Sequence, residues 1–135
     1  IEKKEKRTIK EIFDSDGENY FRKIEKKIAL EELKKVNLVI ALGGGTFINR
    51  LIRKEVRNSS ISFWIDLALK PLSIRLKNSK KRPLLNQDNL EESINKIYLE
   101  RKKIYSESNF KIPCSSMDTK KIVDKIIKLY ENTGN

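Results

Sequence analysis

The sequence of 135 residues contains no histidine and one cysteine, Cys114. An intrachain disulfide is therefore impossible, and a structural zinc site, built from Cys and His ligands, is argued against; no metal-ligating residue is assigned. Cys114 sits in an apolar stretch and reads as a small buried hydrophobe. No apolar run approaches the roughly 20 residues that a membrane-crossing helix needs. No secretory leader opens the chain, so a soluble, cytoplasmic protein without a membrane partner is expected. Ile1-Glu2-Lys3-Lys4 lacks an initiator Met and reads as the interior of a longer chain. Also missing is a Walker-type phosphate loop ending in Gly-Lys-Ser/Thr.

What is present is charge. Thirty Lys and Arg against nineteen Asp and Glu give a net charge of +11. Such an excess suits an anionic partner. The lysines are nonetheless spread along every segment, beside abundant Ile and Asn. A nucleic-acid footprint clusters on one face, so no nucleic-acid partner is expected.

The apolar residues recur at regular spacing, which places the chain among folded domains. Residues 8–13 read as a short helix and Asp14-Ser15-Asp16-Gly17 as a turn. A helix then runs to about residue 35, with Phe21, Ile24 and Ile28 on one face. Leu38-Val39-Ile40-Ala41-Leu42 is a continuous apolar run, the pattern of a parallel strand covered on both faces. Gly43-Gly44-Gly45 ends it. Phe47/Ile48, Leu51/Ile52 and Glu55/Val56 then repeat at helical spacing, as one buried stripe. Ile61–Ile65 reads as a second strand. Leu69, Leu72 and Leu76 mark a short helix with Pro71 in its first turn. Residues 78–88 form a basic, Pro-containing loop. A helix carrying Leu90 to Tyr105 follows, then a third strand from Phe110 to Cys114, where Pro113 signals an edge or an early end. Asp118 or Thr119 caps a last helix. Strands alternating with helices give an α/β domain with a parallel sheet.

Two features carry chemistry. The glycine triplet follows a strand and precedes a helix, where ligands of open α/β sheets gather. Glycine admits close backbone approach and leaves N–H groups free to donate. The alternative is a tight turn without a ligand. The second feature is arginine against a lysine background: Arg22, Arg75, Arg82 and Arg101. A guanidinium grips carboxylate or phosphate with a planar fork that lysine lacks. Each could instead form a surface ion pair of little value, the reading given to Arg7, Arg50, Arg53 and Arg57. The loop at Arg82-Pro83-Leu84-Leu85 could close over a nucleotide or be an exposed connection.

Ile1-Glu2, Ile9-Lys10-Glu11-Ile12-Phe13, Gly17-Glu18, Phe21-Arg22-Lys23-Ile24-Glu25, Gly43-Gly44-Gly45, Arg82-Pro83-Leu84-Leu85 and Glu100-Arg101-Lys102-Lys103-Ile104-Tyr105 occur in this order. Together they resemble the shikimate kinase family over essentially the whole chain. The resemblance implies a three-layer P-loop kinase fold, a parallel sheet with flanking helices. Residues 1–135 would form one such domain without its first strand, P-loop and second strand, and residues 78–88 would be its lid. It implies an ATP-dependent phosphotransferase acting on the 3-hydroxyl of shikimate, with Mg2+, on the chorismate route to aromatic amino acids. Arg22 and Arg101 would bind the substrate carboxylate. Gly43, Gly44 and Gly45 would lie against shikimate, Phe21 would wall it and Glu25 would hold Arg22. Arg82 would serve the nucleotide and the transferring phosphoryl group, and Arg75 would pack on adenine. The small-molecule partners would be shikimate and ATP, and the protein a monomer.

Lys6 stands where the family has Gly, and Thr46 where Ser or Ala is commoner. The phosphate loop, and the Asp-x-Asp motif whose acid faces the reacting hydroxyl, would precede Ile1. This stretch alone would then be inactive and poorly stable, because strand edges would be unpaired. The rival readings are another small-metabolite P-loop kinase, such as a gluconate kinase, a non-catalytic kinase-like binding module, and a basic nucleic-acid binder.

Overall fold

The computed structural model describes residues 1–77 and 90–134, so the expected lid loop at 78–88 lies outside the described residues. The chain divides into two units, Ile1–Ser60 and Ile61–Asn135.

The first unit is helical. Helix α1 (Glu2–Glu5) ends at Lys6, whose φ of 53° and ψ of 29° are left-handed. This is the conformation glycine adopts without a Cβ penalty. Thr8 opens helix α2 (Ile9–Glu32) with a capping box. Its hydroxyl accepts from the Glu11 N–H at 3.2 Å, and the Glu11 carboxylate accepts from the Thr8 N–H at 2.7 Å. The expected turn at 14–17 is reduced to one residue. Gly17, at φ 77° and ψ 176°, bends α2. Arg7 braces the bend by donating to Asp16 at 2.6 Å and to the Ser15 hydroxyl at 3.0 Å. Across it, the Phe13 and Phe21 rings meet with centroids 4.8 Å apart.

Leu38–Leu42 is not a strand, contrary to its apolar pattern. Val39 is fully exposed and Leu38 half so. An apolar run becomes a strand only where another strand accepts its backbone hydrogen bonds. Among the described residues, none of the ladder pairs involves 38–42. The following helix also starts later than its periodicity suggests. Thr46–Ile48 form a single 3-10 turn, and the Asn49 carboxamide then caps helix α3 (Arg50–Ser59), accepting from Leu51 N–H at 3.0 Å. Arg53 donates to the Phe47 carbonyl at 3.1 Å and ties α3 back to that turn. The buried stripe consists of Phe47, Ile52 and Val56, while Ile48 and Leu51 face solvent. With Ile12, Phe21, Ala29 and Leu33 these residues form the unit's core. Each large side chain fully buried there contributes about 1.5–3 kcal/mol.

The second unit is α/β. Strands β1 (Phe63–Asp66) and β2 (Phe110–Pro113) pair in parallel, with Phe63 opposite Phe110 and Asp66 opposite Pro113. Pro113 takes the last ladder position, where a missing N–H does least harm. The Phe63 and Phe110 rings stack at 5.3 Å. Side chains lock both ends. Asn109 accepts from the Ser62 N–H at 2.9 Å, and Ser115 accepts from the Ala68 N–H at 2.9 Å. The crossover carries helices α4 (Leu69–Lys77) and α5 (Leu90–Tyr105), which pack together. Parallel strands require such a long connection. Asp118 caps helix α6 (Thr119–Glu131), accepting from Lys121 N–H at 2.8 Å. Ile94, Ile112 and Cys114 are buried. Among the described residues no helix is long and apolar enough to cross a membrane.

Candidate functional site

The polar centre of the first unit is Arg22, on the C-terminal limb of α2. Placed at i+4 from Glu18 and i−3 from Glu25, it can reach both carboxylates along one helix face. It does so unequally. Nη1 donates to Glu25 Oε2 at 2.6 Å, while Nε and Nη2 both donate to Glu18 Oε1 at 3.1 Å. The Glu25 side chain is 13% exposed and that of Glu18 44%. The guanidinium also lies over the Phe21 ring, 5.2 Å from its centroid.

The glycine stretch closes onto this group. The Thr46 N–H donates to the Gly43 carbonyl at 2.9 Å, making a tight turn. Gly45 has a φ of −95°, which any residue adopts, so its identity is a matter of space. A Cβ there would stand 2.5 Å from Arg22 Nη1 and 2.8 Å from Cζ. The glycine is thus what lets the guanidinium lie flat against the backbone. A Cβ on Gly43 would meet Thr46 Oγ1 at 3.2 Å and Glu25 Oε1 at 3.4 Å. Burial pulls the Arg22 pKa down, but the bonds and charges of Glu25 and Glu18 outweigh it. The net shift is upward, and the group stays cationic. The site therefore offers a fixed planar cation beside a bare backbone and an aromatic wall.

In the second unit Arg101 lies half-buried on α5. Among the described residues no hydrogen bond or ion pair engages its side chain. One turn earlier the Tyr98 hydroxyl faces Asp66 Oδ1 at 3.4 Å, at the carboxyl end of β1. Lys111 from β2 bonds Asp66 Oδ2 at 3.0 Å and lies 4.7 Å from the Trp64 ring centroid. Burial, then the charge and hydrogen bond of Asp66, raise the Tyr98 pKa against the opposing pull of Lys111.

The structure thus brings Phe21, Arg22, Glu25, Gly43 and Gly45 together, with Gly44 in the same turn. Arg75 lies on α4. Arg82 falls outside the described residues. Two residues join the site that sequence reasoning misses, Glu18 and Thr46. The first is legible from its spacing to Arg22; the second gives no signal beyond following the triplet. Among the described residues no group of three or more Asp, Glu, Cys or His could hold a metal ion.

Comparison with known proteins identifies the family. The family described as Shikimate kinase matches residues 1–131. A shikimate kinase of Bartonella henselae is 35% identical over 128 residues, covering 95% of this chain and 61% of that protein. One of Prochlorococcus marinus is 42% identical over 113 residues, covering 83% of this chain and 57% of that protein. The chain therefore spans about three-fifths of the length of these curated relatives. A solved shikimate kinase of Acinetobacter baumannii, in complex with shikimate, superposes with a TM-score of 0.90 at 26% identity. That match covers 98% of this chain and 74% of the other. The α/β fold and the matched sequence agree, and the chain belongs to the shikimate kinase family.

Proposed function

We propose that the protein is a shikimate kinase that transfers the terminal phosphoryl group of ATP to the 3-hydroxyl of shikimate, in the cytoplasm, on the route to chorismate. Family membership supports the reading, and the Acinetobacter relative binds shikimate. The observation that carries it is the Arg22 guanidinium, fixed by Glu25 against the backbone of Gly45. A small ring acid suits these surroundings. Its carboxylate takes the guanidinium fork as a charge-assisted pair, and its hydroxyls lie along the glycine backbone. Phe21 provides an apolar wall. Arg101 is the second carboxylate ligand of the proposal, and Arg75 and Arg82 are its nucleotide ligands.

ATP supplies the phosphoryl group when bound, and the family's kinase chemistry calls for Mg2+ to neutralise the phosphates. Among the described residues no three or more Asp, Glu, Cys or His gather as an all-protein metal cage, and no step is routed through the metal. What these residues do is bind and orient. Holding the acceptor in one pose removes rotational freedom before the chemical step, a large part of the barrier in phosphoryl transfer.

The test is ADP release by the full-length protein with ATP and a panel of acceptors. Shikimate-dependent turnover is expected, with gluconate inert. Arg22→Lys should raise the shikimate KM by at least about tenfold, since lysine cannot pair bidentately, and Arg101→Lys should raise it less. Turnover of gluconate, or no turnover with an intact phosphate loop, would replace the reading with another kinase or a binding module.

A further inference from the structure

We infer that Thr46 is a positioning residue for substrate acid binding, acting through Glu25 on Arg22. The inference rests on the shikimate kinase reading for its substrate, but its geometry stands independently.

Thr46 is 4% exposed. Its hydroxyl donates to Glu25 Oε1 at 2.7 Å, and the other oxygen of that carboxylate accepts from Arg22 Nη1 at 2.6 Å. Both Glu25 oxygens are thereby held from opposite sides. A carboxylate gripped by one partner can rotate about its own C–C bond; one gripped at both oxygens cannot, and the nitrogen bonded to it is held too. The hydroxyl is fixed in turn. Thr46 opens the 3-10 turn, its N–H bonds the Gly43 carbonyl, and its carbonyl accepts from the Asn49 N–H at 3.2 Å. The same backbone that presents the glycine turn thus presents the donor that locks Glu25. The turn and the arginine are set relative to each other by one hydroxyl.

Neither alanine nor valine at residue 46 does this. Alanine has no donor. Valine keeps the shape of threonine, but sets a methyl group against a carboxylate oxygen. Serine keeps the donor.

The experiment uses the full-length protein with Thr46→Val and Thr46→Ser. Rotation of the Arg22 guanidinium about its Nε–Cζ bond is followed by nitrogen NMR, and shikimate KM and kcat are measured separately. Slow rotation is expected in the parent and the Ser variant and measurably faster rotation in the Val variant, where Glu18 still holds Nε and Nη2. The Val variant should raise the shikimate KM roughly tenfold, the scale of one charge-assisted hydrogen bond, while kcat at saturation changes little. If Thr46→Val does not fold, Thr46→Ala removes the donor without the misplaced methyl. Unchanged rotation in the hydroxyl-free variant, or loss of rotational restraint in the Ser variant, overturns the inference. Absence of shikimate turnover in the parent sinks the functional reading alone, because rotation still reports on Thr46.

Discussion

Replacing Gly45 with alanine should damage acid binding while leaving the fold intact. The new Cβ would stand 2.5 Å from Arg22 Nη1, 2.8 Å from Cζ and 2.9 Å from Nη2. Ordinary contact begins at 3.4 Å, so the guanidinium must retreat by about 0.9 Å. The backbone does not resist alanine, because φ is −95°. The side chain gives way, and it leaves the place where Glu25 bonds it at 2.6 Å. A charge-assisted bond of that kind is worth about 1.5–3 kcal/mol. Misplacing a positioning group by an ångström costs on the order of a hundredfold in rate. Shikimate kcat/KM should therefore fall by roughly a hundredfold. Thermal stability should hold, because alanine reduces the freedom of the unfolded chain by about 0.4–1 kcal/mol. Gly43→Ala is the control: its nearest contacts are 3.2 and 3.4 Å, which a shift of a few tenths of an ångström absorbs. It should lose only a few-fold by the same reasoning. Equal activity of the two variants, or a Gly45→Ala loss that merely tracks a lowered melting temperature, would refute the steric argument.

Further perturbations test other parts of the molecule. Lys6→Gly should raise thermal stability by up to about 1 kcal/mol, because lysine there holds a left-handed conformation; a lowered melting temperature would contradict this. Glu18→Gln should lower the shikimate KM a few-fold, since it weakens an exposed i,i+4 pair worth a few tenths of a kcal/mol that occupies the Nε/Nη2 edge of Arg22; steady-state kinetics decide. Tyr98 has its pKa raised by burial and by Asp66. Its stabilisation is complete below the ordinary tyrosine value near 10 and is lost as pH climbs through the raised value. Urea midpoints should thus fall on the alkaline side in the parent and less in Tyr98→Phe. Ile112→Ala, at a fully buried position of β2, should cost about 2–5 kcal/mol in chemical denaturation.

Periodicity locates α2, α4, α5 and α6, because an apolar face repeating every three or four residues is what a half-buried helix requires. Of the face expected on α2, Phe21 is buried and Ile24 and Ile28 are half-buried, while Ala29, beside Ile28, completes the buried side. The run at 38–42 misleads for a physical reason: apolar continuity reports a tendency toward burial, whereas a strand needs a partner's backbone. The residue types of Asp14–Gly17 favour a turn, yet only Gly17 leaves helical geometry. Asp16 is instead used by Arg7. In the site, the Glu25–Arg22 pair is implied by resemblance, and Glu18 is legible from spacing. Thr46 is not, because its bond to Glu25 spans 21 residues of sequence. Such contacts depend on where the turn delivers the hydroxyl, which no local pattern encodes.

The charges around Arg22 limit how the proposed site can work. One guanidinium between two carboxylates leaves a local net charge of minus one. A substrate carboxylate arriving there would be repelled unless an anion leaves or a cation joins. The two acids are not equivalent in this respect. Glu25 is mostly buried and bonded at both oxygens, so displacing it would strand a desolvated charge. Glu18 is half exposed, bonds through one oxygen at 3.1 Å and can return to water at little cost. It also covers Nε and Nη2, the edge a carboxylate needs for a two-point grip. Exchange of Glu18 for substrate acid conserves the charge count, which makes it the cheaper route. With Glu18 gone, Glu25 still neutralises Arg22, so the net attraction for an acid must come from a second cation. In the proposal that cation is Arg101, half-buried and without an ion pair among the described residues. Arg22 then supplies direction and Arg101 supplies charge, so Arg101→Lys should keep more affinity than Arg22→Lys.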